Sequence, residues 1–122
     1  MRSRSLLLLS ALLLLASCEG AQRLDPNAPP QEVEITAYQW GYRPEVMRLK
    51  KNQTYRFRLH SIDVAHGFTC AELGIDVAIP SKDQGEVEVL LTPTKKGEFI
   101  ARSNARSSGP GRRRMSLPIF VY

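Results

Sequence analysis

The sequence predicts one small all-β domain, a sandwich of about seven or eight short antiparallel strands wired as a Greek key. Three observations lead there. From residue 32 onward the apolar residues recur with period two, as a strand with one buried face requires. No stretch in that region has the three-to-four-residue spacing of an amphipathic helix. Turn formers fall between the alternating runs at Arg43-Pro44, Lys51-Asn52, residues 80–85 and Lys95 to Gly97.

Residues 1–17 read as a targeting segment. Arg2 and Arg4 make a short basic start, Leu6 to Leu15 is almost continuously apolar, and Leu15-Ala16-Ser17-Cys18 has the form of a bacterial lipobox. The run is short for a span of the bilayer. The expected product begins at Cys18 with lipid on its thiol and amine, anchored in a bacterial membrane and facing the periplasm or the exterior. A secretory signal cleaved nearby and an uncleaved anchor are the competing readings. Residues 18–31 then form the lipidated cysteine and a polar, Pro- and Ala-rich tether without periodicity.

The domain occupies residues 32–122. Val33, Ile35 and Ala37 alternate with Glu32, Glu34 and Thr36; Tyr55, Phe57 and Leu59 with Arg56, Arg58 and His60; Val87, Val89 and Leu91 with Glu86, Glu88 and Leu90. Val64, His66 and Phe68 share a face in the same way, and residues 117–122 close the chain as a strand. The expected core draws Ile35, Phe57, Phe68, Val89, Phe99 and Ile119 from these faces.

Charge and cysteine content set two limits. The chain has 17 basic and 12 acidic residues; removing Arg2 and Arg4 with the signal leaves 15 against 12, a balance of +3. An exported protein would not meet nucleic acid, so these cations are better matched to anionic headgroups or an acidic protein. If lipid consumes Cys18, Cys70 stands alone and no internal disulfide forms.

His66 is the residue that points to chemistry. A neutral imidazole on an apolar strand face, with Gly67 beside it, suits a soft metal ion; it also suits a hydrogen-bonded structural histidine. The segment SIDVAHGF, followed by a stretch ending in LGIDVAIP, resembles the copper-ligand strand and return strand of the cupredoxin domain of cytochrome c oxidase subunit II. EVEITAYQWGYRPEVMRLKKNQTYRFRL upstream and TPTKKGEFIARSN downstream are similar to the same family, so the resemblance covers about residues 32–122. It implies a cupredoxin-like Greek-key β-sandwich and, in the family, a binuclear copper A centre held by two bridging cysteines, two histidines, a methionine and a carbonyl.

Most of those ligands are replaced. With RSNARSSGPGRRRM laid on the family's loop, Ser103 and Ser108 stand at the cysteine positions, Arg112 stands at the histidine position, and only His66 and Met115 remain. Hydroxyls do not substitute for soft thiolates. There is also one residue more between Ser103 and Ser108 than the family pattern has. Arg112, Arg113 and Arg114, with Arg102 and Arg106 nearby, make the loop strongly basic, either as a solvated run or as a partner-binding patch.

His60, His66 and Cys70 match a mononuclear blue-copper set in number, but His66 and Cys70 on one straight strand would lie roughly 13 Å apart. Asp63 and Asp76 are placed to orient the His66 ring, yet a triad built on it would lack a nucleophile. No acid-base pair, phosphate loop or zinc pattern indicates an enzyme. Two functions are therefore expected. One is a membrane-anchored cupredoxin module without redox copper, accessory to a respiratory or copper-handling membrane complex. The other is a copper-binding electron carrier or delivery factor whose site is incomplete, using His66, Met115 and, less suitably, Cys70.

Overall fold

The computed structural model describes residues 27–122, so Cys18, the lipobox and most of the tether lie outside the described residues. Nine strands follow in order: β1 (Gln31–Tyr38), β2 (Gly41–Arg43), β3 (Met47–Leu49), β4 (Tyr55–Ser61), β5 (His66–Cys70), β6 (Ile75–Ile79), β7 (Val87–Leu91), β8 (Gly97–Arg102) and β9 (Ser116–Val121). Among the described residues the only helical pieces are tight turns at Ala71–Leu73, Arg106–Ser108 and Pro110–Arg114.

The strands form two sheets, β2-β1-β4-β7 and β3-β9-β8-β5-β6, packed face to face. Period-two burial decides which residues lie between them. Ile35, Ala37, Tyr55, Phe57, Leu59 and Leu91 fill the core from the first sheet; Leu49, Phe68, Phe99, Ala101, Leu117 and Ile119 fill it from the second. Of the expected core residues, Val89 is only partly buried against this cluster. The outward side of the first sheet is polar: Arg56 on β4 pairs with Glu32 at 3.3 Å, and Arg58 with Glu86 at 3.3 Å.

Three details differ from the sequence reading. Nine strands form among the described residues where about seven or eight were expected. The sheets are mixed, because β1 runs parallel to β4 and β3 parallel to β9. Alternation along a strand specifies its buried face but carries no information about its partner or direction. Val64 also falls outside β5, which begins at His66. Ser61 diverts the chain there, its hydroxyl donating to the Val64 carbonyl and accepting the Asp63 N–H at 3.1 Å.

One consequence of topology positions the candidate site. The end of β1 at Tyr38, the β4 to β5 turn and the loop between β8 and β9 meet at one end of the sandwich. Residue 31, where β1 begins, lies at the other end. Eight residues of strand separate them, roughly 25 Å at about 3.3 Å per residue.

Candidate metal centre and its replacement

β5 carries His66 inward at its first residue, where the imidazole is 1 % exposed. The β8 to β9 loop brings Ser103 and Ser108 to the same place; both are buried. Their hydroxyl oxygens are 2.8 Å apart, and Ser108 Oγ is 2.7 Å from His66 Nδ1. Between the two serines the loop makes a turn at Arg106–Ser108, closed by a hydrogen bond from the Ser108 N–H to the Ala105 carbonyl at 3.1 Å. Three sequence-predicted positions therefore converge.

Asp63 completes the group by accepting from His66 Nε2 at 2.7 Å through one carboxylate oxygen and from the Gln39 N–H at 2.8 Å through the other. Burial pushes the Asp63 carboxyl up, but the His66 ring and the Gln39 and Val64 N–H groups outweigh that and hold it below its ordinary value. An ionised carboxylate only accepts, so His66 Nε2 carries the proton and, in the neutral ring, Nδ1 is the acceptor. Proton directions along the cluster follow. The Gly67 N–H donates to Ser103 Oγ at 2.9 Å, Ser103 donates to Ser108, Ser108 donates to His66 Nδ1, and His66 Nε2–H donates to Asp63. Each buried side-chain polar atom of this hydrogen-bonded cluster has a partner.

The cluster is roofed by the segment after β1. Gln39 Nε2 and Trp40 Nε1 both donate to the Ser108 carbonyl, at 3.1 and 2.7 Å. The indole lies flat on the loop, since a methyl group at position 111 would sit 2.3 Å from its Cδ2 atom. Gly111 is thus required for close approach, and Gly109, with φ of 94°, for the turn beneath it. Below the cluster, Tyr42 donates its phenol proton to the Gly67 carbonyl. Burial pushes that phenol above its usual range, and Ser103 beside it draws it partly back.

Other predicted residues stand elsewhere. Met115 is fully buried at the end of the loop and its N–H bonds to the Arg112 carbonyl at 3.0 Å. Arg112 is half-buried; Arg102, Arg106, Arg113 and Arg114 are exposed. Cys70 is a free, buried thiol at the far end of β5, with Phe68 between it and His66. Burial and the nearby Glu72 push its pKa up despite backbone donors, which disfavours a thiolate. His60 lies on the outward side of β4, 3.3 Å from the Thr36 hydroxyl. The blue-copper set of His60, His66 and Cys70 is therefore not assembled. Asp76 likewise does not orient His66; it accepts from Thr69 at 3.1 Å.

The expectation that a triad would lack its nucleophile needs correction, because Ser108 stands in line with His66 and Asp63. Its residue is 0 % exposed, so no substrate reaches the hydroxyl. Sequence reasoning missed Ser108 in that position, and it missed the donors Gln39 and Trp40. The bond of Ser108 to His66 and those of Gln39 and Trp40 to Ser108 span more than forty residues, and no local pattern reports them.

By sequence the chain matches no family model and no curated protein. By structure it is similar to the periplasmic domain of subunit II of the cytochrome oxidase of Bradyrhizobium japonicum, with TM-score 0.66 and 17 % identity over 75 % of this chain and 83 % of that one. The fold is that of the cupredoxins. Auracyanin A, a "blue" copper protein from Chloroflexus aurantiacus, superposes with TM-score 0.58 at 13 % identity, covering 77 % of this chain and 100 % of its own. The metal-binding domain of a Cu(I)-exporting P-type ATPase of Streptococcus pneumoniae gives 0.62 at 19 %, covering 82 % and 91 %. A subunit II-like cupredoxin domain is thus shown as a fold.

The residues present do not fit a binuclear copper A centre. At Ser103 and Ser108, which the resemblance matches to the bridging thiolates, the domain offers two hydroxyls that already satisfy each other and His66 Nδ1. Among the described residues, no three His, Cys, Asp or Glu side chains converge as metal ligands.

Proposed function

We propose that the protein is an exported, lipid-anchored cupredoxin module that has lost the binuclear copper site and serves as an accessory or interaction subunit beside a respiratory or copper-handling membrane complex. The observation that carries this reading is the hydrogen-bonded chain Ser103–Ser108–His66–Asp63. It occupies the space between the β5 histidine and the β8 to β9 loop with groups that need no metal to be satisfied. A serine hydroxyl stays protonated near neutral pH and is a poor ligand for copper. Five arginines in or beside the loop add repulsion toward a divalent cation.

Copper loading followed by desalting tests the loss of the site. The expected result is a colourless protein with no tightly held copper. Two coppers per chain with intense visible absorption would refute the reading. One colourless Cu(I), abolished by His66→Ala, would instead support a copper-delivery role through His66 and Met115, whose imidazole and thioether suit that ion.

The similarity to a periplasmic domain supports export, as does the basic, apolar start of the sequence. Among the described residues no helix is long and apolar enough to cross a membrane. The anchor is assigned to lipid on Cys18, which stands at the cysteine position of the lipobox. Replacement of Cys18→Ala is expected to move the protein out of the membrane fraction or leave its precursor uncut, read by fractionation and by the mass of the N-terminal peptide. An unchanged distribution and mass would refute the lipid anchor.

A further inference from the structure

The arginine loop and Trp40 form one surface. The turn Pro110–Arg114 is closed by hydrogen bonds from the Arg112 N–H to the Gly109 carbonyl at 3.1 Å and from the Met115 N–H to the Arg112 carbonyl at 3.0 Å. Buried Ser108 and Met115 pin its two ends, and the indole of Trp40 rests on its middle at Gly111. The loop is therefore held in one shape. Trp40 remains 40 % exposed although its ring rests against Gly111, the neighbour of Arg112 in the loop.

Among the described residues, the side chains of Arg102, Arg106, Arg112, Arg113 and Arg114 make no ion pair, hydrogen bond or ring contact. The other strand arginines behave differently. Arg56 and Arg58 pair with glutamates, and Arg43 and Arg48 lie over Tyr38 and Tyr122. Among the described arginines, those without internal compensation therefore lie at the end of the sandwich that carries the cluster, while Lys50, Lys51, Lys95 and Lys96, also without an ion pair, stand by the turns at the opposite end.

We propose that this face, the exposed indole of Trp40 together with Arg106, Arg112, Arg113 and Arg114 of the loop on which it rests, docks an acidic protein segment that places carboxylates on the guanidiniums and an apolar side chain on the indole. The inference rests on the interaction-module reading above and assigns its partner chemistry. Guanidinium forks on a fixed loop suit carboxylates held in a fixed arrangement, because planar bidentate pairing rewards matched geometry. A flat indole with a half-exposed ring suits packing against a side chain, as at protein interfaces. A lipid surface fits less well. The indole lies along the loop instead of projecting from it, and Lys50, Lys51, Lys95 and Lys96 stand at the opposite end, roughly 25 Å away where β1 begins, so that end is the better match to anionic headgroups.

Trp40 is the only tryptophan in the chain, so its emission reports on this face alone. The test titrates chelator-treated protein with a synthetic peptide of glutamates around a single leucine and, separately, with phosphatidylcholine vesicles containing phosphatidylglycerol. The peptide is expected to shift the emission saturably and to lose affinity as salt is raised. Combined Arg112→Glu, Arg113→Glu and Arg114→Glu should weaken that response at least about tenfold, as loss of several charge-assisted contacts requires. Arg113→Gln with Arg114→Gln, both at exposed positions, is the milder version if charge reversal perturbs folding, with the same direction expected. Gly111→Ala should displace the indole and weaken binding while every arginine remains. No saturable shift with the peptide, a shift that survives charge reversal, or a stronger response to vesicles than to peptide would each overturn the proposal. Because the titration is metal-free, its failure leaves the loss of the copper site standing, and copper uptake by the protein would leave the docking result standing.

Discussion

Phe57→Ala is expected to lower the free energy of unfolding by about 3–5 kcal/mol, the range for removing a large buried aromatic side chain from a packed core. Phe57 sits in the middle of β4, the strand flanked by β1 and β7 in the first sheet, and it is 0 % exposed. Its ring stacks near Tyr55 at 6.4 Å between centroids. Truncation would leave a cavity where both sheets contribute atoms, and neighbours on paired strands have little freedom to collapse into it. A urea titration measures the effect as a fall in midpoint of more than about 1 M at unchanged slope, given slopes of about 1–3 kcal/mol per molar for small domains. Ile100→Ala on the outward side of β8 is the control and should change stability little. A loss below about 1 kcal/mol at Phe57 would show that the assigned core face is wrong.

Ser103→Cys, Ser108→Cys and Arg112→His together are expected to turn a colourless protein into one that takes up two coppers per chain with strong visible absorption. The sequence raised one objection, the additional residue between the two serines. The structure bears on it at the two serines, whose hydroxyls meet at 2.8 Å with the turn at Arg106–Ser108 between them. Thiolates at these positions would replace two poor donors with two soft ones beside His66 Nδ1, and removal of the Arg112 guanidinium would take away one cation. Such proximity could also let the new thiols close a disulfide, so reconstitution must begin from reduced protein. Metal analysis and the visible spectrum read the outcome. A colourless variant, or one holding a single copper with both thiols reduced, would mean that the loop does not place residues 103, 108 and 112 as the resemblance implies.

Much of the sandwich was legible in single strands. Alternation at Val33 to Ala37 and at Tyr55 to Leu59 named the buried faces correctly, since a strand with one face in a core must repeat every two residues. The same alternation was silent on the parallel pairing of β1 with β4, because partner choice is settled by how whole strands fit in the sheet. The candidate site divides the same way. Sequence alone determined the donor chemistry: a histidine and a methionine retained, serines where soft ligands would be needed, and a run of arginines, all properties of side chains wherever they lie. Asp63 was already placed by the sequence to orient the His66 ring; only the tertiary structure decided that Ser103 and Ser108 join them in a satisfied chain, that His60, Cys70 and Asp76 stay out of it, and that Trp40 rests on the arginine loop. The physical reason is distance along the chain. Hydrogen bonds between residues 36 to 69 apart form only after two sheets pack and bring their loops to the same end, and a buried polar group takes whichever partners that packing supplies.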